Sequence, residues 1–142
     1  MLSNLKSTVL LTLFATSFAL PTTDPETHPL FARAGIPDKV TCPGKGFTKS
    51  TIIATLKAAH TKHPKYPEPF VNKSCKEDYG KTVDCFTVPG NAVLLGYPLT
   101  DPVWTGGEPG KYRVIFNTKT GRSGKHEYVG VMYYSGGTLK KC

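Results

Sequence analysis

No stretch of this 142-residue sequence is long and apolar enough to cross a bilayer. Its one apolar run, Val9 to Leu20, falls short of the ~20 residues a spanning helix needs, so stable membrane insertion is not expected. Acidic residues are scarce, 10 against 18 basic ones, for a net charge of +8. That imbalance favours polyanionic partners: RNA, acidic lipid headgroups or acidic polysaccharide. There is no Cys-x-x-Cys spacing and no histidine pair near a cysteine, which speaks against a metal centre. Nothing in the sequence calls for a cofactor. Internal repeats and low-complexity tracts are absent, which excludes a solenoid.

What is present begins with an export signal. Lys6 gives a positive start, Val9 to Leu20 an apolar centre, and Ser17-Phe18-Ala19 a small-x-small cleavage site, so residues 1–19 read as a signal peptide. Residues 20–33 carry Pro21, Pro25 and Pro29 among polar groups and read as a flexible arm or a pro-segment ending at Arg33. Residues 34–142 are of ordinary single-domain size and keep 16 basic residues against 8 acidic ones. All four cysteines lie there, an even number in an exported chain, and so predict two disulfides. Of three possible pairings, the favoured one joins Cys42 to Cys142 across the whole domain and Cys75 to Cys85 around a short loop. Asn72-Lys73-Ser74 is an N-glycosylation sequon.

Helical spacing of Ile52, Ile53, Leu56 and Ala59 predicts a helix over Phe47–His63, capped by Thr48 or Ser50 and ended by Pro64. Val83–Val88, Ala92–Tyr97, Tyr112–Phe116 and Tyr128–Tyr134 are β-branched and aromatic segments bounded by Gly or Pro, as strands are. Alternation puts Arg113 and Ile115 on one face, and Tyr112, Val114 and Phe116 on the other. By the same rule Tyr128, Gly130, Met132 and Tyr134 share a side. The segment Asn117–Glu127, with Lys119, Arg122, Lys125 and His126, reads as a basic hairpin loop. The whole is an α+β plan: one α-helix packed on a central antiparallel sheet, with two disulfides, as a monomer.

The succession Lys111-Tyr112-Arg113-Val114-Ile115-Phe116-Asn117, then Gly130-Val131-Met132-Tyr133-Tyr134-Ser135, then a terminal Cys142, resembles the secreted fungal guanyl-specific ribonucleases and their ribotoxin relatives. The resemblance runs from the helix to the C-terminus and implies the microbial ribonuclease fold. It also implies where a catalytic site would stand. The family's Tyr-Pro-His segment corresponds to Tyr66-Pro67-Glu68, and its Glu-aromatic-Pro strand, which bears the general base, to Gly96-Tyr97-Pro98. The arginine that contacts the scissile phosphate is kept as Arg113, while the acid histidine is replaced by Tyr134. RNA cleavage through the 2′-hydroxyl needs a base and an acid, each contributing roughly 10²–10⁴-fold. Gly96 supplies no base, and a phenol, titrating at about 10, is badly matched to neutral pH.

On this resemblance the chain is a ribonuclease-like domain with a degenerate site at Tyr66, Glu68, Gly96, Arg113 and Tyr134. Its phosphate or RNA contacts would come from Arg113, Tyr66, Lys119, Arg122 and Lys125. Among such domains it is similar to the secreted effectors of powdery mildews and other plant-pathogenic fungi, although Val40-Thr41-Cys42 departs from their aromatic-x-Cys start. The expected function is that of a non-catalytic virulence factor, secreted and translocated into host cells. Its expected partners are RNA, the ribosome, a host defence protein or an immune receptor. The alternatives are an active ribonuclease using Glu68 as base with Tyr134 as acid, and a secreted protein acting outside cells.

Overall fold

In the computed structural model the described residues are 35–61, 63–76, 79–120 and 125–142. The expected signal peptide and arm lie outside them. A short hairpin opens the fold, with β1 (Lys39–Cys42) antiparallel to β2 (Lys45–Thr48) and Val40 opposite Phe47. Phe47 is therefore a strand residue, and the helix α1 begins later, spanning Lys49–Ala58. Thr48 is its N-cap, its hydroxyl accepting the Thr51 backbone N–H at 3.3 Å. At the other end the His60 and Thr61 amides donate to Lys57 and Ala58, so the chain tightens into three-residue turns before Pro64 is reached.

The remaining strands are β3 (Glu68–Pro69), β4 (Cys75–Lys76), β5 (Thr82–Val83), β6 (Leu94–Pro98), β7 (Tyr112–Thr120), β8 (Lys125–Ser135) and β9 (Thr138–Lys141). Five of them form an antiparallel sheet ordered β3-β6-β7-β8-β9, while β4 and β5 make a separate two-stranded ladder. The stretch from Asn117 to Glu127, read as a loop, instead continues β7 and β8 as far as the Thr120–Lys125 pair.

Residues from the two sheet faces belong to two buried clusters. Ile52 and Leu56 of α1 share one with Phe47, Tyr97, Val114, Phe116 and Val131. Cys85 and Phe86 share the other with Leu94, Ile115 and Met132. A bulge between Ile115 and Phe116 sets Ile115 opposite Gly130 but Phe116 opposite Tyr128. Tyr128 thus joins the helix-side cluster and Val129 the other, reversing the side that simple alternation assigns to Tyr128.

Both disulfides pair as favoured. Cys42–Cys142 ties β1 to the end of the chain just after β9, and Cys75–Cys85 closes the β4–β5 segment. Phe86, beside Cys85, lies directly over Gly130, where an added Cβ would come within 2.7 Å of its ring Cζ. Gly130 is the position that lets this ring seat on the sheet. Among the described residues no helix is long and apolar enough to cross a membrane.

Candidate functional site

Four of the five positions singled out by the resemblance share one sheet face, and the fifth, Tyr66, lies just before β3 in the helix-side cluster and meets Arg113 through its hydroxyl. Glu68 on β3 lies opposite Gly96 on β6, and Arg113 on β7 lies opposite Pro98. Tyr134, two residues beyond Met132, which pairs with Arg113, sits on the same side. Strands β3 and β7 flank β6, so Glu68 and Arg113 start roughly 10 Å apart, two strand spacings. Their side chains nevertheless meet: Arg113 Nε donates to Glu68 Oε1 at 3.1 Å. The bridge crosses β6 beside Gly96, whose missing side chain leaves the lane open; the nearest heavy atom to a Cβ there would be Ile115 Cδ1 at 3.4 Å.

Arg113 is 5% exposed, and its donors are engaged by the protein itself. Nη1 donates to the carbonyls of Gly110 (2.9 Å), Tyr112 (2.9 Å) and Pro109 (3.3 Å), and Nη2 to the Tyr66 hydroxyl at 3.2 Å. The guanidinium carbon also lies 5.5 Å from the Tyr66 ring centre and 5.2 Å from that of Tyr134. A charge this deep is tolerable because carboxylate, carbonyls, hydroxyl and aromatic rings replace its hydration. The carbonyl cradle was not read from the sequence. Its signal was Glu108-Pro109-Gly110 one residue short of β7, where Gly110 at φ 64° lets the chain present two carbonyls to the guanidinium.

The aromatic residues divide sharply. Tyr66, Tyr97 and Trp104 are buried and pack edge-to-face on one another, with centroids 5.1–6.2 Å apart. Burial pushes the Tyr97 hydroxyl above its ordinary pKa. Tyr134, at 37% exposed, is the one ring of this group open to a ligand. Of the basic tip, Arg122 and the side chains of Lys119 and Lys125 lie outside the described residues.

The described histidines do not enter this site. His63 packs against Trp104 at 4.6 Å, and His60, just past α1, stacks on His126 of β8 at 3.8 Å with rings 4° from parallel. His126 is thus a packed residue of β8 and not part of a loop. Asn72 of the sequon clamps the backbone of Phe86, donating from Nδ2 to its carbonyl at 2.8 Å and accepting its N–H at 3.0 Å. Among the described residues no group of three His, Cys, Asp or Glu side chains is arranged to hold a metal.

Chemically, the cluster holds one carboxylate, one guanidinium and two phenols. The one carboxylate of the cluster is already the counter-ion of its guanidinium. Neither a protein-family model nor a curated protein sequence matches this chain.

Proposed function

We propose that this chain is a secreted, non-catalytic protein built on the microbial ribonuclease plan, with α1 against one face of its central sheet. It serves as an effector that binds single-stranded RNA, free or on the ribosome, within host cells. The observation that carries the reading is the Glu68–Arg113 bridge. A carboxylate occupies the guanidinium edge that a scissile phosphate would need, and an internal anion held at 3.1 Å in a half-buried setting competes strongly with an external one. Gly96 provides no second carboxylate, and Tyr134 stands where the acid imidazole would be. Binding then falls to the lysine-rich surface and the open Tyr134 ring, since cation-plus-aromatic surfaces hold single strands without reading sequence.

Glu68 also favours a second reading, because its carboxylate could accept the 2′-proton in an active ribonuclease. Incubation of the purified chain with guanosine-containing RNA separates the two. Intact RNA together with salt-sensitive binding is the expected result. Cleavage that Glu68→Gln and Arg113→Ala both abolish would overturn the non-catalytic reading. Capture of a host defence protein or immune receptor from plant tissue, with no RNA retained, would replace RNA as the partner.

A further inference from the structure

We infer that the nucleotide-binding groove of this protein lies between β9 and the Cys75–Cys85 loop, and not at Arg113; the inference rests on the RNA-binding reading above. A cleft of about 380 Å³ opens there, within the usual range of small-ligand sites. Its floor is apolar, made by Leu139 and the Cys75–Cys85 disulfide, with Cys85 buried. Among the described residues its lining includes three exposed lysines, Lys76 from β4 and Lys140 and Lys141 from β9, against one acid, Asp84. Among the described residues none of these lysines forms an ion pair; the ion pairs are Lys49–Asp38 and Arg113–Glu68. Lys141 is held in place, its ammonium 5.1 Å from the Phe86 ring centre.

An apolar floor in a lysine-rich lining, with Asp84 the one acid among its described residues, suits a ligand with a flat, weakly polar body and a phosphate, which is one unit of a nucleic-acid strand. The position within the sheet extends the argument. Leu139 pairs directly with Tyr134, so the cleft and this open aromatic ring are adjacent cross-strand neighbours on the same face. One base would rest on the cleft floor with its phosphate on the lysines, and the next would meet Tyr134. Arg113, with its donors turned inward, acts there only by packing against the Tyr134 ring.

The test compares two triple variants of equal charge change, Lys76→Gln/Lys140→Gln/Lys141→Gln in the cleft and Lys39→Gln/Lys45→Gln/Lys111→Gln elsewhere. Binding of a short labelled single-stranded RNA is measured by anisotropy across salt. Each phosphate neutralised contributes roughly 0.7 to the salt slope, so the cleft variant should lose roughly 2 units of slope. Its binding should then weaken roughly 16-fold less than that of the wild type between about 50 and 200 mM salt. The control variant should keep the wild-type slope. Equal effects of the two variants, or none from the cleft set while the wild type still binds, would sink the groove and leave RNA binding standing. A wild-type chain that does not bind RNA at any salt would remove both.

Discussion

Arg113 and Glu68 bond to each other across an intervening strand, from β7 to β3 over Gly96 of β6. This arrangement makes the arginine a structural rivet. Its three carbonyl acceptors, one hydroxyl and one carboxylate need a planar fork, which a lysine ammonium cannot reproduce. Arg113→Lys should therefore cost about 2–4 kcal/mol, toward the lower side of broken buried pairs because Glu68 can still reach water. Glu68→Gln keeps an acceptor and should cost about 1 kcal/mol. Urea denaturation measures both, and an Arg113→Lys variant as stable as the wild type would show that the cradle is not structural.

The seat of Phe86 on Gly130 makes a sharper test of packing. A methyl group at residue 130 would collide with the ring, so Gly130→Ala should destabilise by about 1–3 kcal/mol through overpacking. In a Phe86→Leu background the obstacle is smaller, and most of that cost should vanish. The coupling in the double-mutant cycle is the quantity to measure. Additive effects would mean that the ring does not rest there.

Much of this was legible in the sequence, and the reasons differ by element. The long strands β7 and β8 and the helix were visible because their apolar periods repeat several times, and the cysteine pairing because few pairings are possible. The site positions came as a set from the resemblance alone; that Glu68, Gly96, Arg113 and Tyr134 share one face follows from strand order and register, which the sequence does not display. Strands β3 and β4, of two residues each, carry no period and were invisible, and the strand expected over Val83–Val88 proves to be β5, which ends at Val83. The exchange between Tyr128 and Val129 follows from a bulge, which shifts the count by one without any change in composition. Asn72 read as a modification signal because nothing local shows that its amide is matched to a backbone 14 residues away.

The two disulfides should contribute unequally. In the chain-entropy account the benefit grows with the loop closed, about 4.7 kcal/mol for the separation of 100 between Cys42 and Cys142 and about 3 kcal/mol for the separation of 10 between Cys75 and Cys85. The double alanine variant of the first pair should melt well below that of the second. The second should instead weaken the cleft it floors, lowering RNA affinity with a smaller loss of melting temperature. The reverse order of melting would contradict the loop-length account.

The stacked imidazoles of His60 and His126 give the fold a defined acid response. Burial, then the nearby His60, lower the His126 pKa from about 6.5 to about 4, while a hydrogen bond with the Leu56 backbone opposes the shift. Its folded pKa therefore lies below the unfolded one, so an unfolded chain takes up the proton first as pH falls. The stabilisation from neutral His126 is complete above about pH 6.5 and is lost progressively down to about pH 4. Because the ring is only half-buried, the loss should be about 1–2 kcal/mol, less than the full shift would give. His126→Phe keeps an aromatic ring against Phe116 but cannot titrate. The wild-type urea midpoint should fall relative to that of the variant as pH drops from 7 to about 4.5, carboxylate effects being common to both. Parallel profiles over that range would show that His126 is charged as readily in the folded protein as in the unfolded chain.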